Sequence, residues 1–146
     1  MRYKSWRTFL GQSHRGLDLS KQANVVISLD FGTKKIGVCI AETYTGQSSP
    51  LPVLKNDDNL FNNLDDVINE WLPNFCIIGK PRKMKEDFKE AYRNFYKSFE
   101  DRYEINITEV NEDFTSQAVS KEKKKQDYDS YSATLIFEEW FNNKSA

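Results

Sequence analysis

Apolar residues recur along the chain with two different periods, and these predict its elements. Val25 to Asp30 (VVISLD) is a β-branched run that ends on an acid, as a strand buried on both faces does. Phe31-Gly32-Thr33-Lys34-Lys35 interrupts it, and Ile36 to Ala41 (IGVCIA) resumes it, so the two strands are expected to form a tight hairpin. Thr43 to Ser49 is polar. Pro50 to Leu54 suits an edge strand, because proline cannot donate to a ladder. Helical spacing takes over after Asp57 and Asp58, at Leu60, Leu64, Val67, Ile68, Trp71 and Leu72, and Pro73 stops it. Phe75 to Gly79 (FCIIG) reads as a short buried strand. Met84 to Tyr103 reads as a helix with Phe88, Tyr92, Phe95, Tyr96 and Phe99 on one face, aromatics expected in the core rather than as a base-stacking platform. A strand over Ile105 to Val110 follows, then a short helix and basic loop over Thr115 to Lys125. The last element is an amphipathic helix from Tyr128 to Phe141, burying Ala133, Leu135, Ile136, Trp140 and Phe141.

The order β-β-(β)-α-β-α-β-α predicts an α/β fold: a mixed central sheet, its hairpin strands antiparallel and its later strands parallel, with helices on both faces. The 146 residues suit one domain, expected over 24–146 behind a basic N-terminal extension, 1–23. That extension carries Arg2, Lys4, Arg7, Arg15 and Lys21 against Asp18, and lacks the long apolar region of a secretory leader. The chain as a whole has a net charge of −1. An acidic domain can still take a polyanion when its carboxylates hold divalent cations, because the metal inverts the local charge. No apolar run reaches the ~18 residues of a membrane span. Cys39 and Cys76 stand apart inside apolar runs, as buried hydrophobes do, and His14 is the single histidine. A Cys/His zinc site and a His-dependent nucleophile are thereby disfavoured.

Three acids occupy places where strands and helices meet a rim of the sheet. Asp30 ends the first strand, Glu112 follows the last one, and Asp129 opens the final helix. Three converging carboxylates can hold one or two divalent cations and so assist phosphodiester hydrolysis. Each also has an ordinary alternative: a turn acceptor at Asp30, a solvated acid at Glu112, and a helix-dipole partner at Asp129.

Five segments, in order, resemble the motifs of the YqgF/RuvX family. Leu29 to Val38 (LDFGTKKIGV) is similar to D-(F/V/L)-G-T-K-(R/K)-I-G-V-A. Gly46 to Leu54 (GQSSPLPVL) resembles G-T-A-x-P-L-P, and Trp71 to Met84 (WLPNFCIIGKPRKM) resembles W-x-P-D-x-I-V-V-G-L-P-L-N-M. Val110 to Ala118 (VNEDFTSQA) resembles D-E-R-(L/F)-(S/T)-(S/T)-x-x-A, and Asp129 to Phe141 (DSYSATLIFEEWF) resembles V-D-S-x-A-A-x-L-I-L-Q-x-(Y/W)-(L/F). The resemblance implies a ribonuclease H-like fold and a Mg²⁺- or Mn²⁺-dependent nuclease of the bacterial cytoplasm. It implies a role in maturing the 5′ end of 16S ribosomal RNA, with Holliday-junction resolution as the older alternative. Carried over by motif, Asp30, Glu112 and Asp129 are the catalytic metal ligands. The implied partner is nucleic acid, with no membrane, and the protein is expected as a monomer or weak homodimer. Lys34 and Lys35, beside Asp30, and Lys123, Lys124 and Lys125, ahead of Asp129, are the expected phosphate contacts.

The departures fall near the acids. Asn111-Glu112-Asp113 stands where the family has Asp-Glu-Arg, and Lys85-Glu86-Asp87 where it has Asp-Gly-Thr. The loop ahead of Asp129 is shorter than the family's. The changes at Asn111 and Asp113 keep open a non-catalytic binding module on the same fold. An actin-like ATPase is the remote rival, since it also opens on Asp-x-Gly-Thr, but this chain has no second such hairpin.

Overall fold

The computed structural model of the protein describes residues 24–111 and 125–145, with side chains over 24–111 and 130–143. The expected extension over 1–23, and most of the short helix and loop expected from Thr115, lie outside the described residues.

Five strands form one sheet: β1 (Val25–Asp30), β2 (Lys35–Glu42), β3 (Ser48–Lys55), β4 (Phe75–Lys80) and β5 (Asn106–Asn111), ordered β3-β2-β1-β4-β5. β1 pairs antiparallel with β2 and parallel with β4, and β4 pairs parallel with β5, which makes the mixed sheet that the element order predicts. β1 lies in the middle, and its first five residues are buried; a central strand covered on both faces needs a continuous apolar run rather than alternation. β3, with its prolines, is an edge. Its pairing with β2 slips between Ile36 and Val38, and the resulting bulge accommodates Pro52.

Two helices, α1 (Leu60–Trp71) and α2 (Glu86–Tyr103), cover one face of the sheet, and α3 (Lys125–Ser145) covers the other. Alternation along β1 divides the core accordingly. Val25, Ile27 and Leu29 join the cluster under α1 and α2, while Val26 packs with Ile136 and Phe137 of α3. Each such fully buried aliphatic contributes about 1.5–3 kcal/mol. Tyr92, Phe95 and Phe99 of α2 are buried, and Phe88 and Tyr96 pack at the margin; Phe31 sits among their rings, 5.2 Å from Phe95 and 5.5 Å from Phe88.

α3 differs from its expected form in two respects. It begins at Lys125, ahead of the expected Tyr128, and it buries Phe137, which is fully enclosed, in place of Leu135. Ala133, Ile136, Phe137 and Trp140 follow the i, i+3, i+4, i+7 stripe that meets a sheet, and Leu135 points off that stripe. The strands also run slightly longer than expected, because residues such as Lys35 and Glu42 pair in the ladder despite their charge. Glu42 is buried at the end of β2, where it accepts from the Thr45 N–H at 2.6 Å and from the Thr45 hydroxyl. Apolar periodicity gives no sign of an acid enclosed in this way. Among the described residues no helix is long and apolar enough to cross a membrane.

Candidate active site

Asp30 stands at the carboxyl end of the central strand, the end of an α/β sheet where sites form. It is half-buried. The alternation that aims Val26 and Ser28 at α3 puts Asp30 on that same face. Its register partners are Gly37 on β2 and Gly79 on β4. Directly paired residues share a face, so with glycine on both sides neither neighbouring strand sets a side chain beside the carboxylate. Glycine inside a strand commonly marks a place where a ligand or a second backbone comes close.

The turn after Asp30 is fixed from below. Asn56 donates from its side-chain amide to the Gly32 carbonyl at 2.8 Å and from its backbone N–H to the Lys34 carbonyl at 2.9 Å. A Cβ on Gly32 would lie 2.6 Å from the Lys35 carbonyl oxygen, closer than real Cβ contacts allow, so this position requires glycine. Lys34 is thereby held on the exposed side of the turn, and Lys35 is half-buried as the first residue of β2.

α3 is brought to the same sheet by hydroxyl groups. Ser130 donates to the Leu51 carbonyl at 2.6 Å and accepts from the Val38 N–H at 3.3 Å. These two groups belong to β3 and β2 at the bulge, and the serine bridges the gap that the bulge opens in their ladder. One helical turn further, Ser28 donates to the Ala133 carbonyl at 2.8 Å. The first turns of α3, which include position 129, are therefore anchored to β1, β2 and β3. Ser130 and Asn56 were absent from the residues expected at the site. For Ser130 a signal lay in the matched motif, where serine follows the acid; Asn56 lies outside the matched segments, and the interactions span 79 and 24 residues, which spacing does not disclose.

Of the three expected metal ligands, Asp30 is the one whose surroundings are described. Glu112 lies one residue past the end of β5, outside the described residues; Asp129 lies in α3, but its side chain is outside them, as is that of Lys125. Lys123 and Lys124 are outside as well. Among the described residues no group of three His, Cys, Asp or Glu side chains gathers into a metal site. The two cysteines are unsuited to nucleophilic or ligand roles: burial pushes the Cys39 thiol up to about 11 and raises that of Cys76 further, so both stay protonated.

The mixed sheet, ordered β3-β2-β1-β4-β5 with helices on both faces, has the fold of the ribonuclease H-like class. Solved structures share the fold: "T. thermophilus RuvC in complex with Holliday junction substrate" superposes with a TM-score of 0.58 over 84% of this chain and 96% of that one, at 11% identity. The "Fowlpox virus resolvase and substrate Holliday junction DNA complex" gives 0.55 over 84% and 99%, at 13% identity. Within this class the chain belongs to the RuvX family, whose model, described as "Holliday junction resolvase", matches residues 24–143. Two relatives carry the name "Putative pre-16S rRNA nuclease". One, from Buchnera aphidicola subsp. Baizongia pistaciae, is 34% identical over 80% of this chain and 96% of its own length. The other, from Histophilus somni strain 2336, is 30% identical over 81% and 94%. The family is one of nucleases, hydrolases of phosphodiester bonds, and the chain takes its class from it.

Proposed function

We propose that the protein is a divalent-metal-dependent endonuclease that trims the 5′ end of precursor 16S ribosomal RNA. In this role Asp30, Glu112 and Asp129 together hold Mg²⁺ or Mn²⁺. The observation that carries the proposal is the setting of Asp30: a half-buried carboxylate at the carboxyl tip of the central strand, flanked by Gly37 and Gly79, in a chain whose relatives bear the name of a ribosomal-RNA nuclease. A hard carboxylate donor suits these cations. Bound there, the metal supplies an activated water and charge neutralisation at the scissile phosphate. The protein's own part is to fix the carboxylates: β1 sets Asp30, and the Ser130 bridge holds the start of the helix that bears Asp129. Lys34 and Lys35, with Lys123, Lys124 and Lys125, would contact flanking phosphates. The protein would act in the cytoplasm as a monomer or weak homodimer.

Holliday-junction resolution is the second reading, favoured by the family description and by the two junction-bound neighbours. One experiment separates them. The wild-type chain and Asp30→Asn are incubated with Mn²⁺ and either a labelled RNA spanning the 16S 5′ precursor or a four-way DNA junction. Cleavage of the RNA by wild type alone is expected. Cleavage of the junction alone moves the chemistry to DNA. Cleavage of neither substrate overturns the nuclease and leaves a binding module.

A further inference from the structure

On the face of the sheet opposite Asp30 lies a second feature, which the site above does not use. A groove of about 790 Å³ runs between the end of β4, the loop that follows it, and the outer side of α2. Its lining holds six cations against two carboxylates, in a chain whose overall charge is −1. Positive charge is therefore gathered here against the balance of the molecule, and a concave wall concentrates its field.

The cations are ordered. Lys89, Arg93 and Lys97 are exposed and follow one another at i, i+4 and i+8, so they form a stripe along α2 with steps of about 6 Å. Lys80 ends β4 at the near end of the groove and is 3.8 Å from Glu109 on β5. Glu109 also accepts from the Tyr92 hydroxyl at 2.6 Å. One acid thus engages both a tyrosine and a lysine, and the floor of the groove is braced across β4, β5 and α2. Burial, then the bond to Glu109, raise the Tyr92 phenol well above its ordinary range, so it stays a donor at any pH the protein meets. Tyr96 lies one turn on, 6.2 Å from Tyr92 between ring centres, and unlike Tyr92 it is only half-buried. An aromatic ring beside a row of cations is the usual equipment for a single strand: the cations follow the backbone and the ring takes a base.

The groove and the candidate active site meet at one rim. Lys80 follows Gly79, which is the register partner of Asp30, so they lie on adjacent strands at the carboxyl end of the sheet. A strand lying along α2 would reach that rim at Lys80.

We propose that this groove binds single-stranded RNA flanking the cleavage point, with Lys89, Arg93 and Lys97 on successive phosphates and a base stacked on Tyr96. The proposal deepens the nuclease reading and rests on it for the identity of the strand. It is tested by binding, which does not require cleavage. A fluorescent twenty-nucleotide RNA, a DNA of the same sequence and an RNA duplex are titrated with the full chain in chelator, across a range of salt. Lys89→Glu/Arg93→Glu/Lys97→Glu is compared with Lys55→Glu, an exposed cation at the opposite edge of the sheet. All three reversed side chains are exposed, and a thermal melt checks that the variant folds.

The triple reversal is expected to weaken single-stranded RNA binding more than ten-fold, while Lys55→Glu leaves it within about two-fold. The corresponding triple alanine variant should make the dependence of log affinity on log salt shallower by about 2, three lost contacts at the single-strand coefficient. Tyr96→Leu should weaken binding about five-fold or more. Wild-type affinity and salt slope in the triple variants overturn the proposal, and so does dependence on the groove seen only with the duplex or only with DNA. A parallel cleavage assay in Mn²⁺ separates the two proposals. Groove-dependent binding without cleavage keeps the groove and removes the nuclease. Cleavage by a triple variant that binds like wild type does the reverse.

Discussion

Ser130 replaces a missing rung of the sheet with a side chain. Its hydroxyl serves a donor on β2 and an acceptor on β3, both of them buried, and water has no way to take its place. Ser130→Ala would leave the Val38 N–H and the Leu51 carbonyl without partners. We expect this to cost about 1–3 kcal/mol in a urea melt, the usual penalty for buried polar groups left unpaired. Since the same bond holds the start of α3, cleavage should fall together with stability. A loss below ~0.5 kcal/mol, within the range of ordinary surface substitutions, would show that the bridge is incidental. The opposite sign is expected at Glu104. This exposed residue caps α2 in the left-handed region, at φ 52°, and places a negative charge at the negative end of the helix dipole. Glycine adopts that conformation without a Cβ penalty. Glu104→Gly should therefore raise stability by about 1 kcal/mol, and an unchanged or lower midpoint would refute the strain.

Elements on the helical face are joined by a polar clasp as well as by the core. Arg102 of α2 donates twice to Asp65 of α1, at 2.9 and 2.6 Å, and Tyr103 donates to the same carboxylate at 2.7 Å. Arg102 also lies over the ring of Phe61, 5.5 Å from its centre. The Arg102 and Tyr103 hydrogen bonds hold the Asp65 carboxyl down at about 2. A carboxyl whose pKa is lower folded than unfolded adds stability above its unfolded value, and that stability is lost as pH falls through the folded one. The melting temperature of wild type should thus exceed that of Asp65→Asn at neutral pH. The difference should close between about pH 4 and pH 2, from the ordinary Asp value downward. A gap that stays constant with pH would assign the loss to packing. This clasp was illegible in the sequence, because the partners lie 37 residues apart and both occupy what periodicity marks as solvated positions. The elements themselves were legible. VVISLD and FCIIG admit little but buried strands, and Pro73 fixes the end of α1. Where periodicity misassigned a residue, as with Leu135 and Phe137, the helix stripe had more apolar candidates than the sheet could cover.

At the scale of the whole molecule, chemistry is shared between elements distant in sequence, which is why the candidate site was only partly legible. Asp30 was readable because a strand, an acid and a glycine turn fall within a few residues of each other. The groove was not, since Lys80 and the α2 stripe come together only when β4 and α2 pack, and a row of cations at helical spacing ordinarily reads as a solvated face. The proposed metal ligands are dispersed in the same way, on β1, after β5 and on α3, so a bound cation would tie the central strand, near the start of the chain, to elements from its last third. A ligand that binds only the folded state stabilises it by mass action, about 2.7 kcal/mol at a hundred times its Kd. For a domain of this size that is a rise in Tm of roughly 5–10 °C. We therefore expect Mn²⁺ to raise the Tm of the wild-type chain by this order and that of Asp30→Asn by far less. Asp58→Asn, an exposed acid ahead of α1, controls for diffuse attraction of cations to an acidic chain and should keep the full metal-induced rise. Equal rises in wild type and Asp30→Asn would remove Asp30 from the metal site whatever the cleavage assay shows, because the melt depends on binding alone.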